Sequence, residues 1–240
     1  MAVLEYERDF YVHTVLKGNH DYIRPAGVLD IFQDIASDHA ALIGVGYEAM
    51  LAKKYLWVVN YIEFEINDIK TITRDIKVKT WPHAKNRLEF PREFEFINKV
   101  GKTVVNGISS WFIVSEDEHK IMRADDVLFG GEFKAETHYP AFRRGKLNRP
   151  EGNPVKEFDY QVRPTDLDHN GHLNNARYLD IIYNMQADLR TVKKVAISFV
   201  HEAKLNEKIK VLYYKLDEKK NIYVGINKDE ECFICMQEVE

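Results

Sequence analysis

Between Arg163 and Asn175 the chain reads Arg-Pro-Thr-Asp-Leu-Asp-His-Asn-Gly-His-Leu-Asn-Asn, its densest run of side chains able to do chemistry. Asp168, Asn170 and His172 alternate along it, so a carboxylate, an amide and an imidazole share one short loop. Such a set can take a proton from water, place a neutral donor beside a carbonyl and fix the tautomer of the ring. The residues that follow read as an apolar helix from about Asn175 to Leu189, and Asn174-Asn175 suits its N-cap. A helix beginning there sets its positive dipole end and its unpaired first amides beside the loop, around Gly171 to Asn174. The same stretch offers His169, His172, Asp166 and Asp168 to a metal, but no second cluster completes such a site, and Asp166 also suits a loop or capping role.

These residues need a scaffold, and the hydrophobic pattern supplies one twice. Residues 25–43 follow Pro25 with Val28, Leu29, Phe32, Ile35, Ala36, Leu42 and Ile43 at helical spacing, which predicts one buried helix. From about Tyr55 to Val114 four runs rich in β-branched and aromatic residues predict an antiparallel sheet. Residues 139–156 hold three of the seven prolines and read as a connector. A short strand near Glu157 to Val162, the second helix, and strands near 193–202, 207–216, 221–227 and 231–239 then repeat the order. At an ungapped offset of 150, Val12 matches Val162, Ala26 matches Ala176, Leu29-Asp30-Ile31 match Leu179-Asp180-Ile181, and Asp38 matches Asp188. The reading is α+β: a tandem double hot-dog, with two long central helices each wrapped by an antiparallel sheet. Its parts are an N-terminal half over residues 1–138, a linker over 139–156 and a C-terminal half over 157–240. The two halves pair sheet edges with each other or leave them to a homodimer. The polar trio belongs to the second copy only, since its equivalents in the first are Gly18, His20 and Tyr22.

At 240 residues, 45% hydrophobic and 30% charged with a net charge of -4, the chain is neither disordered nor fibrous. No apolar run approaches the roughly 18 residues that cross a bilayer, and Met1 to Phe10 carries charges where a signal peptide is apolar, so a cytosolic protein without membrane contact is expected. Mild acidity removes any need to bind nucleic acid. Cys232 and Cys235, in what reads as a terminal strand, are expected to be free thiols. Two stretches are basic: Lys77, Lys79, Lys85, Arg87 and Arg92 against Glu89, and Arg143, Arg144, Lys146, Arg149 and Lys156 against Glu151, each with a balance of +4.

The loop and its sequel resemble the second-repeat signature of the acyl-acyl carrier protein thioesterases, the plant enzymes and their bacterial relatives. In that signature D-x-N-x-H precedes an apolar residue, N-N and the start of the central helix. Here it reads Asp168, Asn170, His172, Leu173, Asn174-Asn175, with Tyr178 after it. The resemblance runs from about Tyr11 to about Lys210 and weakens in the connector and the last 30 residues. It implies an acidic site residue on the strand after the helix, where Phe199-Val200-His201-Glu202-Ala203 places Glu202. Many plant members carry cysteine after that acid. Ala203 stands there instead, which argues against a cysteine nucleophile and for a mechanism run by carboxylate, amide and imidazole. The helix advances about 22 Å and a strand of about eight residues returns roughly 26 Å, so Glu202 comes back level with the helix start. Strict alternation from Val195, Ile197 and Phe199 nevertheless points Glu202 to the opposite face.

The resemblance implies cofactor-free hydrolysis of fatty acyl-acyl carrier protein thioesters to free fatty acid and carrier thiol. It implies a catalytic set of Asp168, Asn170, His172 and Glu202. Glu202 and His172 are both candidates for general base, and Asp168 either fixes the imidazole tautomer or orients Asn170. Carrier proteins are acidic, so either basic stretch suits docking. The first copy then reads as the acyl-binding half, with Trp57, Trp81 and Trp111 candidates to line it. One rival is a hot-dog hydratase or dehydratase, which has no use for Asn170. The other is a non-catalytic acyl-thioester binding protein, disfavoured by the intact trio.

Overall fold

The computed structural model describes residues 4–18, 21–72, 74–83, 87–118, 120–123, 147–185 and 191–240. Contacts divide the chain into two compact units, Met1–Thr14 with Ile31–Arg144 and Val15–Asp30 with Gly145–Glu240. The chain thus contributes residues 15–30 to the second unit before returning to the first.

In the first unit, strands β1 (Tyr6–Tyr11), β2 (Tyr55–Ile66), β3 (Asp75–Pro82), β4 (Phe90–Ile97) and β5 (Thr103–Ser115) pair antiparallel in the order β1-β3-β4-β5-β2. Helix α1 (Pro25–Leu42) opens at a proline, whose fixed φ suits the first turn, and buries Val28, Leu29, Phe32 and Ile35. Phe32 stacks on Phe94 with ring centroids 4.1 Å apart and meets Phe64 and Phe96 edge-on. Gly107 permits this approach, because a Cβ there would fall 2.5 Å from the Phe32 ring. Truncating Phe32 to alanine would remove the centre of this core at about 3 to 5 kcal/mol. A short helix, α2 (Tyr47–Leu51), has too few residues to announce itself by periodicity. It sets Met50 against Phe90 and Ile113, with Trp57 and Trp111 packed on the cluster.

In the second unit β6 (Lys156–Gln161), β7 (Val192–Phe199), β8 (Lys208–Lys215), β9 (Lys220–Asn227) and β10 (Glu230–Val239) pair antiparallel in the order β7-β10-β9-β8-β6. Helix α3 is Asn175–Tyr183, shorter than the expected run to Leu189. The amide of Met185 bonds the carbonyl three residues back, on Ile182, a tightening that ends helices. Residues 186–190, Asp188 among them, lie outside the described residues. The end of the connector is firmly held: Leu147 is buried, and its N–H donates to the Ser198 hydroxyl at 3.1 Å. Both cysteines are free and buried in β10, and burial pushes the Cys232 thiol up to about 12. No described helix is long and apolar enough to cross a membrane.

The offset of 150 persists at the level of single hydrogen bonds. Strands β1 and β6 begin 150 residues apart, as do the 3-10 turns Thr14–Leu16 and Pro164–Asp166 and helices α1 and α3. Each copy carries a hairpin before its helix, closed by the bridges Lys17 to Ile23 and Leu167 to Leu173. Gly18 N–H donates to the Tyr22 carbonyl as Asp168 N–H does to that of His172, both at 2.8 Å. The polar trio therefore sits on a backbone frame that the first copy also builds.

Candidate active site

The hairpin of the second copy is fixed from its base upward. The Asp166 carbonyl accepts the Asn174 N–H at 2.9 Å, and one turn higher the Gly171 N–H donates to the Asp168 carbonyl at 3.1 Å. Gly171 has φ +80°, a left-handed conformation that a Cβ would strain. Asp168 Oδ1 accepts the backbone N–H groups of Asn170 at 2.9 Å and His172 at 3.1 Å. The carboxylate gathers the loop backbone around itself, and the Asn170 side chain stands at the exposed tip.

Glu202 arrives from β7. That strand stops at Phe199 because the N–H groups of Val200 and His201 both reach the Cys232 carbonyl, at 2.9 and 3.2 Å. Two residues opposite one make a bulge, which re-aims the side chains beyond it. Strict alternation therefore fails here, and Glu202 faces the hairpin. Leu173 N–H donates to the Ala203 carbonyl at 2.8 Å, and His172 and Lys204 form an antiparallel bridge. His172 Nε2 lies 3.1 Å from Glu202 Oε2, with side-chain exposures of 24% and 44%. This pair is joined to itself and still open to a substrate.

The start of α3 differs from expectation. The amides of Gly171, His172, Leu173 and Asn174 all donate within the fold, and the Asn174 side chain, the expected N-cap, takes the Ala176 N–H at 2.9 Å. The row of open donors anticipated at Gly171 to Asn174 is already spent on building the hairpin. Asp166 is structural in its bonding: its Oδ2 accepts the Tyr160 hydroxyl at 2.8 Å and the Arg163 N–H at 2.7 Å. Beneath the loop, buried Tyr178 packs edge-on against Phe199 and Phe233, and burial pushes its phenol up, leaving it neutral. Among the described residues no group of three or more His, Cys, Asp or Glu is arranged to hold a metal ion.

Two features escaped the sequence. Arg177 bonds Asp180 at 2.6 Å and Asp30 at 2.5 Å, and Arg24 bonds Asp180, so four charges link the opening turns of the two helices. Burial raises Asp180 even so. In the first copy, a Cβ on Gly18 would fall 2.7 Å from the Tyr183 hydroxyl and 2.8 Å from Arg24 Cγ, so a side chain at the position matching Asp168 would have to displace one or both. His20 lies outside the described residues.

Three cations of the first basic stretch are engaged within the fold. Lys77 pairs with Glu7 at 2.7 Å, Lys79 with Glu7 at 2.9 Å, and Arg92 is buried with its guanidinium on His39 at 3.0 Å and Thr80 at 3.1 Å. Lys85 lies outside the described residues, as do Arg143, Arg144 and Lys146 of the second stretch. Trp81 is buried, while the indoles of Trp57 and Trp111 donate to the Val45 carbonyl and the Ser109 hydroxyl at 2.9 and 2.7 Å.

Helix-on-sheet units of this kind are of the hot-dog type. The fold is similar to that of an acyl-ACP thioesterase from Bacteroides thetaiotaomicron, with a TM-score of 0.87 at 18% identity over 98% of each chain. It is equally similar to the 12:0-ACP thioesterase from Umbellularia californica, with a TM-score of 0.87 at 17% identity over 100% of this chain and 98% of that one. A MaoC-like dehydratase from Phytophthora capsici matches less well, with a TM-score of 0.52 at 12% identity over 77% of this chain and 72% of that one. No curated protein sequence matches. The chain belongs to the acyl-ACP thioesterase family: residues 3–129 match the model of its N-terminal domain and residues 151–239 that of its C-terminal domain. It is a thioester hydrolase acting on acyl-acyl carrier protein, as the resemblance of the loop implied.

Proposed function

We propose that His172 and Glu202 activate the attacking water as one unit, with Asn170 at the carbonyl and Asp168 holding the loop. The observation that carries this reading is the 3.1 Å contact between His172 Nε2 and Glu202 Oε2. With the imidazole N–H on one carboxylate oxygen, the other takes a proton as water adds to the thioester carbon. The Asn170 amide donates to the developing oxyanion, and the dipole of α3 favours negative charge at its start. Collapse breaks the C–S bond, the proton on Glu202 goes to the sulfur, and acid and thiol leave. A thiol of pKa about 8.5 is an easy leaving group, so activation of water and charge stabilisation are the larger demands.

Further proposals concern the rest of the chain. Residues 1–138 act as an acyl-binding half and 157–240 as the catalytic half, each central helix wrapped by its sheet. The Met50, Phe90, Ile113, Trp57 and Trp111 cluster supports the first role. The acidic carrier docks on the second basic stretch, residues 139–156, in a cytosolic enzyme that either closes its own sheet edges or forms a homodimer. The test of the site is thiol release from acyl-acyl carrier protein, with enoyl absorbance followed alongside to expose any dehydratase activity. Glu202→Gln and His172→Ala should each lower turnover by about two orders of magnitude or more with the circular dichroism spectrum unchanged. Wild-type turnover in either variant would remove the assignment.

A further inference from the structure

The two hairpins share two backbone hydrogen bonds, Gly18 to Tyr22 with Asp168 to His172 and Arg24 to Leu16 with Asn174 to Asp166, but differ in one side-chain clasp. In the catalytic copy the Asp166 carboxylate is clasped by the Tyr160 hydroxyl at 2.8 Å and the Arg163 N–H at 2.7 Å. In the first copy the positions 150 residues earlier are Phe10 and Leu16, which can make neither bond. The backbone at that point is nonetheless the same: the Leu16 carbonyl accepts the Arg24 N–H at 3.0 Å just as the Asp166 carbonyl accepts that of Asn174 at 2.9 Å. Closing the hairpin therefore does not require the clasp, since Phe10 and Leu16 manage without it. The clasp accompanies Asp168, Asn170 and His172 and is missing where they are missing.

Its position explains what it adds. Asp166 stands at the junction of three elements: its carboxylate reaches back to Tyr160 in β6, its own N–H donates to the Arg163 carbonyl at 3.0 Å, and its carbonyl holds the residue that caps α3. Rotation about this residue would swing the loop from Leu167 to Leu173 as a whole, and with it His172 relative to Glu202. Asp166 is buried, and burial followed by the bond to Asp166 pushes the Tyr160 phenol up to about 12, so the phenol remains a donor at every working pH.

Resting on the hydrolytic reading of the His172 and Glu202 pair, we propose that Tyr160 and Asp166 are positioning residues, a clasp that sets the pitch of the loop so that His172 meets Glu202. They touch no substrate and act only through the imidazole. Small displacements of a reacting group cost rate steeply, about 100-fold for 1 Å, whereas binding of the acyl chain elsewhere is not affected.

The test is a thermodynamic cycle on the whole chain. The variant carrying Tyr160→Phe with Asp166→Leu reproduces the pair of the first copy. It is compared with wild type, with His172→Ala and with the triple variant, in turnover of acyl-acyl carrier protein and in melting temperature. Loss of the clasp should lower kcat by about tenfold or more while KM stays within about twofold. In the His172→Ala background it should cost no further kcat, because nothing is left to position. Asp166→Asn, which keeps an acceptor oxygen in place, should recover much of the rate. Full kcat in the clasp-less variant, or an equal loss with and without His172, would overturn the proposal and leave Asp166 a purely structural residue. Full turnover in His172→Ala would refute the hydrolytic site itself, a separate result visible in that single variant. Should the clasp-less variant fail to fold, Tyr160→Phe alone, which keeps the Arg163 bond, carries the same cycle with a smaller expected loss of about threefold.

Discussion

Replacing Asp168 distinguishes a residue that holds the loop from one that does chemistry. Its Oδ1 accepts two backbone amides, those of Asn170 and His172, at 2.9 and 3.1 Å. Hydrogen bonds to a carboxylate contribute about 1.5 kcal/mol each at the lower end of their range, so Asp168→Ala removes about 3 kcal/mol of loop order. At about 1.4 kcal/mol per factor of ten, kcat should fall by about 100-fold as the fraction of molecules with His172 on Glu202 drops. Asp168→Asn keeps an acceptor oxygen in the same place but not the charge, and bonds to neutral acceptors are about half as strong. It should therefore cost only about tenfold. The assay is single-turnover thiol release from acyl-acyl carrier protein at saturating enzyme, with a melting curve for each variant. If Asp168→Asn is as inactive as Asp168→Ala while both melt like wild type, the negative charge itself serves the reaction, and the loop-holding account fails.

Glu207 gives a pH test. Burial alone would raise its carboxyl, but donors from Lys228, Asn227 and the Lys204 amide outweigh burial and hold it at about 2, below the ordinary 4.5. A lowered value in the fold means that its contribution is complete above 4.5 and is lost as the pH falls towards 2. The melting-temperature gap between wild type and Glu207→Gln should thus be largest near pH 6 and shrink on acidification; a gap that is the same at pH 3 and pH 6 would contradict this. Gly18→Asp should destabilise by about 1 to 3 kcal/mol through overlap with Tyr183 and Arg24, and add no activity to a His172→Ala protein. Rising salt should lower kcat/KM for the carrier substrate while sparing kcat. Charge reversal at Arg143 and Arg144 should raise the carrier KM, whereas reversal at Lys77 and Lys79, already paired with Glu7, should act on stability instead; the opposite pattern would move docking to the first unit.

Much of the fold was legible because its signals are local. The run Tyr55 to Ile66 reads as a strand from its aromatic and β-branched residues alone, and β2 has those bounds. The grouping of Asp168, Asn170 and His172 in one loop ahead of a helix is local in the same way, whereas the hairpin that bonds Asp168 N–H to the His172 carbonyl was not anticipated. What stayed hidden depends on partners far along the chain. The facing of Glu202 turns on a bulge made with the Cys232 carbonyl, about which counting along β7 says nothing. Part of the basic character of residues 77–92 is absorbed because β1 sets Glu7 opposite Lys79 in register, and because Arg92 points into the core at His39 and Thr80. Counting charges along a strand cannot distinguish a solvated lysine from a paired one.

Residues 15–30 group with the second unit, and this bears on how the gene can be cut and recombined. A fragment beginning at residue 145 retains His172 and Glu202, yet leaves behind Arg24 and Asp30, the partners of Asp180 and Arg177. Asp180 would keep one arginine instead of two at a site where burial already works against its charge. Neither half is therefore a self-sufficient inheritance. A chimera that joins the front of one relative to the back of another at the connector mismatches this seam, whereas one that carries residues 15–30 along with the C-terminal piece preserves it.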